Sequence, residues 1–468
     1  MSWGPADELD RTAKIVIDSG KAANPEEAHG YLASLVLQVA VGPKIGWDPG
    51  AQAALASVVN AGSRAFKGGV HVQLASDPIL RTGWTSGATA SAIVRRFGGR
   101  VVPALANNRP TLVIGQHAGV KGEPVMHLTW SGWSAGVVMQ AKEVPDIAGS
   151  PLAGALAAGL GISEAFQHAL GGVYAGRRET GLSLWRPDLD WRSPAAPGPP
   201  MEYLPSALWL LGLGHLGQAC AWTIGLLPYA APQQCQVALL DFDTVDAGNL
   251  ATQLLTRPRD FRKRKARVVA CALERLGFRT RLVERGLDEH FRVVSHADPN
   301  RDEPLVALAG FDDVGPRRLL GKAGFRHIVD AGLGAGPSDY LDMVLHTFPA
   351  ATDPSEAFLD GQVREPVLRP SYEAEVDRQM KAGVDETAAR CGMLQIAGVT
   401  VGAAFVGATA ATLAVADVLR VLHGGTSYSV IALDLREPHR VRAVINTKPG
   451  EHIPASTSMS PSIGAGGL

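Results

Sequence analysis

Three glycines, Gly212, Gly214 and Gly217, stand in G-x-G-x-x-G spacing directly after a short apolar run. Glycines in this pattern let the backbone turn tightly after a strand and approach a phosphate, which then sits at the positive end of the following helix. Asp241 ends the next apolar run, where a carboxylate can accept hydrogen bonds from a ribose. The pattern predicts a nucleotide-binding site and leaves open whether the nucleotide is NAD, FAD or ATP.

A longer series of polar residues narrows the chemistry. The second strand runs into LLDFDTVDAGNLATQLL, and the basic stretch DFRKRKARVVA follows. The series contains Asp241, Asp243, Asn249, Gln253, Lys265, Asp312, Asp313 and Arg317. It resembles the ThiF/MoeB/E1 superfamily, whose pattern is D-x-D-x-V, then N-L-x-R-Q, then a lysine, then D-N-x-x-x-R after a later strand. The resemblance covers about residues 206–330 and extends more loosely to about 435.

The resemblance implies an enzyme that uses ATP and Mg²⁺ to adenylate the C-terminal carboxylate of a ubiquitin-like or sulfur-carrier-type protein. Because adenylation gathers negative charge on phosphate oxygens, such a site must supply cations and positioning. By this resemblance Asp241 holds the ribose, Asn249 and Lys265 contact the phosphates, and Asp312 holds Mg²⁺. The implied catalytic residues are Lys265, Asp312 and Cys391, and the implied nucleotide-binding residues are Gly212, Gly214, Gly217, Asp241, Asn249, Gln253, Lys265, Asp312 and Asp313.

One departure from the family pattern removes a cation. Thr252 stands where N-L-x-R-Q has its arginine, and Arg257 or Arg259 is a candidate replacement. Relatives also use an arginine upstream of the nucleotide-binding unit, often supplied across a dimer. Arg186 and Arg192 are the candidates for that role.

Two further departures keep other functions open. His215 stands where relatives often have glycine, and Asp313 replaces the asparagine of the D-N pair. Together with Thr252 they favour, as one alternative, a catalytically inactive scaffold on an E1-like fold. An NAD-dependent oxidoreductase is the other alternative. It accounts for the glycines and Asp241 but gives Lys265 no role.

Cys391 is the candidate nucleophile. It follows a long, irregular, partly acidic segment at about 334–390 that matches the crossover segment of the family, and it precedes an apolar helix. Arg390 and a helix N-terminus both favour a thiolate, which could take the acyl group as a thioester. The alternative is a buried cysteine that acts as a small hydrophobe. The chain has no C-x-x-C pair, so we predict no structural zinc.

The elements around these motifs predict an α/β fold with a Rossmann-like, doubly wound, mostly parallel sheet, because apolar strands alternate with helices. Predicted strands lie at 207–211, 236–240, 281–283, 305–309, 326–329, 430–435 and 440–445, and predicted helices lie at 216–227 and 261–276. This adenylation domain is predicted over 206–448, after a Pro-rich linker at 193–205 and before a flexible tail at 449–468.

Residues 1–192 predict a smaller α/β domain without a catalytic constellation. The predicted helices are 23–41, 50–65 and 151–170, and the predicted strands are 69–74 and 111–114. We interpret this domain as either a degenerate adenylation-like domain or a module that docks a partner.

Composition excludes some classes of protein. The chain has 468 residues, with Lys+Arg 44 against Asp+Glu 45, and this balance argues against a dedicated nucleic-acid binder. Four cysteines argue against a disulfide scaffold, and with no targeting segment they favour the cytoplasm. The uncharged stretch 391–416 is long enough to span a membrane, but its alanines, glycines and threonines favour a core helix. The expected partners are a ubiquitin-like protein, a downstream conjugating enzyme and, by resemblance, a second copy of the chain.

Overall fold

In this computed structural model the structure describes residues 10–450, except 118, 144–147, 294–302, 335, 337, 359–369, 388, 391–392 and 395–400. Strands β1–β7 and their helices form the N-terminal half, and β8–β15 with theirs form the C-terminal half. The N-terminal half contains α1 (Arg11–Asp18), α2 (Pro25–Ser34), β1 (Val36–Val41), α3 (Pro49–Ala65), β2 (Gly69–Leu74), α4 (Ala90–Arg96), β3 (Arg100–Val101), β4 (Thr111–Ile114), β5 (Val125–Ser131), β6 (Ser134–Val138), α5 (Pro151–Ala169) and β7 (Thr180–Ser183).

The C-terminal half contains β8 (Ala207–Leu211), α6 (His215–Leu226), β9 (Gln236–Leu240), α7 (Lys265–Glu274), β10 (Arg279–Val283), β11 (Val306–Ala309), α8 (Val314–Leu319), β12 (His327–Leu333), β13 (Asp342–Phe348), α9 (Pro354–Ala357), α10 (Pro370–Lys381), α11 (Ala404–Leu422), β14 (Tyr428–Asp434) and β15 (Arg442–Ile445).

The two sheets have the same strand order. The first runs β3-β2-β1-β4-β5-β6-β7, and the second runs β10-β9-β8-β11-β12-β13-β14-β15. In each sheet the first five strands are parallel and the next two are antiparallel. The halves are therefore topological copies, with β15 added at the edge of the second sheet.

Four helices join the two halves. α3 follows β1 as α6 follows β8, and α5 lies between β6 and β7 as α11 lies between β13 and β14. The four pack on one another and on their own sheets, and one hydrophobic core contains residues of both halves. Burying these apolar faces against each other is the dominant stabilising term. Each half therefore covers apolar surface of the other.

Helix α11 is the core helix that the sequence predicts. Within the described residues it alone is long and apolar enough to cross a membrane, and 89% of its most apolar stretch is buried inside the protein. It contacts the second sheet and all three of the other joining helices. A largely apolar surface on all sides is what a helix in that position needs.

The predicted fold class is confirmed: the chain is a mixed α/β protein whose sheets are largely parallel. The predicted helix 23–41 is wrong in its second part, because α2 ends at Ser34 and Val36–Val41 is a strand. Every residue of that strand is buried between β2 and β4. β-Branched residues favour that environment.

Two other segments differ from expectation. The segment at 334–390 is not irregular throughout, since it contains β13 and α10. The Pro-rich segment 193–205 has no helix or strand but is held in place, because the Trp133 Nε1 donates to the Pro199 carbonyl at 2.7 Å. Residues 451–468, in the predicted tail, lie outside the described residues.

Candidate functional site

The glycine turn after β8 leaves the N-terminus of α6 open. Gly212 has φ +77°, and a Cβ on Gly217 would lie 1.9 Å from the Gly212 carbonyl oxygen, so both positions require glycine. Gly214 precedes α6, gives no side-chain cap, and has no atom within 4 Å of where its Cβ would be. The first backbone N–H groups of α6 therefore have no side-chain cap and are donors that an anion could use.

Asp241 fixes this turn to the end of β9. Its Oδ2 accepts a hydrogen bond from the Leu213 N–H at 2.6 Å, and its Oδ1 accepts one from the Asp243 N–H at 2.7 Å. Burial raises the pKa of Asp241, and these two bonds oppose the shift. Asp241, the residue predicted to bind the ribose, therefore lies at the glycine turn.

Lys265 joins the same cluster. It is the first residue of α7, and its backbone N–H donates to the Asp243 carbonyl at 2.9 Å. Its Nζ lies 2.8 Å from Asp243 Oδ2, and the side chain of Asp243 is half exposed while that of Lys265 is 11% exposed. The ammonium is therefore held beside the glycine turn, with one partner that faces solvent.

The side chains of Asn249 and Gln253 form hydrogen bonds within the protein. Asn249 lies in a short 3₁₀ turn, and its Oδ1 accepts from the Asp246 N–H at 3.3 Å. Gln253 is buried, and its Oε1 accepts from Gln218 Nε2 at 2.8 Å and from the Thr256 hydroxyl at 2.9 Å. Gln253 thus ties this segment to α6. The predicted nucleotide contacts of Asn249 and Gln253 stay predictions.

Asp312 and Asp313 follow β11 next to the glycine turn. The Gly310 N–H donates to the Leu211 carbonyl at 2.9 Å, and a Cβ on Gly212 would lie 3.0 Å from the Phe311 ring. Asp313 caps α8, since it accepts from the Gly315 N–H at 3.0 Å.

Asp312 can serve as a magnesium ligand. It is exposed, and its carboxylate has no hydrogen bond or ion pair with any residue that the structure describes. Mg²⁺ binds typically through one or two carboxylates and substrate phosphates, so a single free carboxylate here fits the ion. Over the described ranges no group of three His, Cys, Asp or Glu residues could hold a metal. The predicted lack of zinc stays a prediction.

The two aspartates should respond differently to alanine. Asp312→Ala should leave the free energy of unfolding within about 0.5 kcal/mol, because the exposed carboxylate has no hydrogen bond or ion pair to lose among the described residues, and should weaken Mg²⁺·ATP binding. Asp313→Ala should cost about 1 kcal/mol through the lost helix cap. Urea denaturation and calorimetric titration measure the two effects. Equal nucleotide binding by Asp312→Ala and wild type would contradict the metal-ligand assignment.

Arg64 of the N-terminal half contacts the site segment, although no sequence pattern singled it out. It lies on the last turn of α3 and is buried. Its guanidinium donates to the carbonyls of Leu250 at 2.7 Å, Leu254 at 3.0 Å and Thr256 at 3.3 Å. Burial and the charge of Arg257 lower its pKa to about 9. Arg64 therefore holds, from across the interface between the halves, the segment that carries Asn249 and Gln253.

The arginines proposed from sequence make contacts with other side chains or are exposed, and their predicted roles at the phosphates stay predictions. Arg257 lies over the Phe97 ring at 5.8 Å from its centre, at the contact between the halves. Arg186 pairs with Asp188 at 2.7 Å, and Arg192 pairs with Glu179 at 2.7 Å. Arg259 is exposed. Arg64 is an upstream arginine that contacts the site segment, and its hydrogen bonds are to backbone carbonyls.

His215 does not obstruct the glycine turn. A Cβ on Gly407 of α11 would lie 2.3 Å from His215 Nε2, and one on Gly402 would lie 3.8 Å from His215 Nδ1. The imidazole thus packs against the start of α11. Burial lowers its pKa to about 3, so it is neutral. The larger side chain at this position is matched by a glycine on the facing helix.

This pairing predicts a reversal of sign between two backgrounds. Gly407→Ala should destabilise the protein by about 1–3 kcal/mol, because the methyl group overlaps the imidazole. In a His215→Ala background the same change should be neutral or stabilise by up to about 1 kcal/mol, because alanine is the better helix former. Urea denaturation of the four proteins measures the coupling. Additive effects would show that the two side chains do not compete for space.

The cysteines differ in exposure. Cys391 lies outside the described residues. Cys220 and Cys235 are buried, and burial raises the pKa of the Cys220 thiol to about 12. Cys271 is exposed. Of the described thiols, Cys271 is the suitable control for a nucleophile at Cys391.

Comparison with known families identifies the chain. A model of the BilD N-terminal domain matches residues 36–184, and a model of the BilD C-terminal domain matches residues 204–425. The chain belongs to the BilD family. A relative from Collimonas sp. (strain OK412), described as bacterial E1-like protein BilD, is 38% identical over 434 residues, which are 91% of this chain and 90% of the relative. Membership in an E1-like family is thereby confirmed, and the finer ThiF/MoeB assignment stays a prediction.

Among solved structures, Escherichia coli MccB matches with a TM-score of 0.33 and 15% identity over 55% of this chain and 65% of the MccB chain. A structure of E. coli MccB with ATP matches with a TM-score of 0.32 and 13% identity, over 53% of this chain and 64% of the other. The BilD-family chain thus spans just under two thirds of the MccB chains that it matches.

Proposed function

We propose that this BilD-family protein is an activating enzyme that uses ATP and Mg²⁺ to adenylate the C-terminal carboxylate of a small ubiquitin-like or sulfur-carrier-type protein. One observation carries the proposal: Asp241, Asp243 and Lys265 converge beside the uncapped N-terminus of α6. Asp312, with its free carboxylate, lies on the segment that borders the same turn. Family membership supports the choice of an adenylating enzyme over an oxidoreductase.

Each group of the site has a separate role in the proposed adenylation. The substrate carboxylate attacks the α-phosphorus of ATP, the bond to the β-phosphate bridging oxygen breaks, and pyrophosphate leaves. The N–H groups at the start of α6 and the Lys265 ammonium stabilise charge on the phosphate oxygens. Asp241 keeps the turn in place and accepts from the ribose. Bound Mg²⁺ on Asp312 would neutralise further phosphate charge.

The test is pyrophosphate exchange into ATP. The purified full chain is mixed with ATP, Mg²⁺, labelled pyrophosphate and a small protein ending in glycine that is encoded beside the gene. We expect label to enter ATP only when that protein is present with its C-terminal glycine intact. Removal of that glycine provides the control. If no neighbouring small protein supports exchange and calorimetry shows binding of NAD but not ATP, the proposal is wrong and the oxidoreductase alternative is favoured.

An inactive scaffold is the second candidate, because the cation at position 252 is absent and Thr252 is buried. This scaffold hypothesis predicts that Lys265→Ala does not change the affinity for the protein partner. It also predicts that ATP does not change that affinity. A pull-down with and without ATP separates the two functions. A homodimer, a downstream conjugating enzyme and a cytoplasmic location belong to the same proposal.

Transfer of the acyl group to Cys391 would follow adenylation. The thiolate attacks the adenylate carbonyl, the carbonyl–AMP bond breaks, and a thioester forms. Cys391→Ala should remove a conjugate that dithiothreitol cleaves but leave pyrophosphate exchange unchanged, because the first step does not need the thiol. Cys271→Ala is the matched control and should retain the conjugate. A conjugate that persists in Cys391→Ala would overturn this step.

A further inference from the structure

A large cavity lies between the two halves, away from the candidate site. It has a volume of about 910 Å³, a size that small-molecule sites commonly have. It reaches the C-terminal end of α6 at Gly225 and Leu227, whereas the glycine turn lies at the N-terminal end of that helix. A helix of 12 residues is about 18 Å long, so the cavity is a separate place on the protein.

Its position in the N-terminal half corresponds to the nucleotide position in the C-terminal half. Gly46, Trp47 and Pro49, which follow β1 and begin α3, line it, as do Arg81 and Thr82, which follow β2. It therefore lies outside the carboxyl ends of parallel strands. β1 is also where the strand order reverses, and open α/β sheets bind ligands at such a point.

The lining is cationic. Three arginines line the cavity, Arg81, Arg96 and Arg275, and no described Asp or Glu does. Arg96 donates to the Trp84 carbonyl at 3.3 Å, whereas the side chains of Arg81 and Arg275 make no hydrogen bond or ion pair within the described part of the chain. Burial, and then the charge of Arg275, lower the pKa of Arg96. Cations gathered without a counter-charge are stabilised by an anion.

The lining is also aromatic. Four aromatic residues contribute to its wall, Trp47, Trp84, Tyr229 and Phe278, and Trp47 is half exposed. Aromatic faces stack on planar rings, including nucleic-acid bases. A ligand that combines several negative charges with a planar ring matches both parts of the wall.

The N-terminus of α3, which borders the cavity, differs from that of α6 because a carboxylate caps it. Asp48 occupies it, because its Oδ1 accepts from the N–H groups of Gly50 at 2.8 Å, Ala51 at 3.2 Å and Gly149 at 2.9 Å. In α6 the corresponding N–H groups are uncapped. Phosphates in this cavity would therefore be held by arginines, and the machinery for adenylation is not repeated here.

We propose that the cavity between the halves is a second ligand site, which takes a nucleoside polyphosphate with its phosphates on Arg81, Arg96 and Arg275 and its base among the aromatic side chains. Because Arg275 comes from the C-terminal half and Arg81 and Arg96 come from the N-terminal half, the bound anion would join the two halves. Ligand that binds only the folded state also stabilises it.

The test separates the two sites. Full-length wild type is titrated with ATP by calorimetry, alongside Lys265→Ala, in which the candidate active site is weakened. We expect two equivalents to bind wild type and one to remain in Lys265→Ala. In that background Arg81→Gln or Arg275→Gln should raise the Kd of the remaining site by about tenfold or more. Arg442→Gln, at an exposed arginine outside the cavity, should leave the Kd of that site within about twofold.

A second comparison tests the nucleoside part. Tripolyphosphate should bind the remaining site about tenfold or more weakly than ATP. Trp47→Leu should lower the affinity for ATP and leave the affinity for tripolyphosphate unchanged. Binding of a single equivalent to wild type, survival of the second equivalent in the Arg81→Gln/Arg275→Gln double variant, or equal affinity for tripolyphosphate and ATP would each overturn the proposal. Thermal unfolding shows that the variants are folded.

Discussion

Lys265→Ala should lower the rate of ATP–pyrophosphate exchange by at least about 100-fold, the usual loss when one preorganised group is removed from charge that develops on oxygen. The ammonium is held beside the glycine turn by Asp243 at 2.8 Å. An alanine removes the lysine cation that the proposal places at the phosphates. The exchange assay with saturating protein substrate measures this effect on the chemical step.

The change should do little to the fold. The ion pair is partly exposed through Asp243, and such pairs contribute about 0–1 kcal/mol. Lys263→Ala is a matched control two residues away, because Lys263 is exposed and pairs with Asp260 at 2.9 Å. The Lys263→Ala variant should catalyse ATP–pyrophosphate exchange at a rate within about twofold of the wild-type rate. A Lys265→Ala protein with nearly wild-type exchange would remove Lys265 from the machinery and favour the scaffold.

Arg64→Ala should destabilise the protein by about 3 kcal/mol, because three backbone carbonyls lose a charged donor and a cavity opens in the interface. The same change should weaken ATP binding, since the freed segment carries Asn249. Urea denaturation and calorimetric titration report the two effects. Arg64→Lys should recover only part of the stability, because one ammonium cannot reproduce the fork of donors.

Lys67→Ala supplies the comparison for Arg64. Lys67 lies just beyond the same end of α3 and pairs with Asp10 at 2.7 Å, with 29% of its side chain exposed. Its loss should cost less than about 1 kcal/mol and leave ATP affinity unchanged. If Arg64→Ala cost no more than Lys67→Ala, the contacts across the interface would not determine the shape of the site segment.

The sequence alone determined the local parts of the candidate site. The spacing of Gly212, Gly214 and Gly217 after an apolar run specified a strand, a turn and a helix, and the structure contains all three. Apolar runs bounded by turn residues likewise located β8, β9 and β11. Such features are recoverable because strand burial and glycine conformations are properties of consecutive residues. The structure also brings together Asp241 and Lys265, as the family resemblance implied.

Only the tertiary structure decided how the chain uses its N-terminal half. Arg64 lies 186 residues before Leu250, and no periodicity or motif relates two such positions. The pairing of His215 with Gly407 and the gathering of Arg81, Arg96 and Arg275 around one cavity are of the same kind. These contacts arise when two sheets of equal strand order bury their helices against each other, and packing of this type depends on surfaces that only folding brings together.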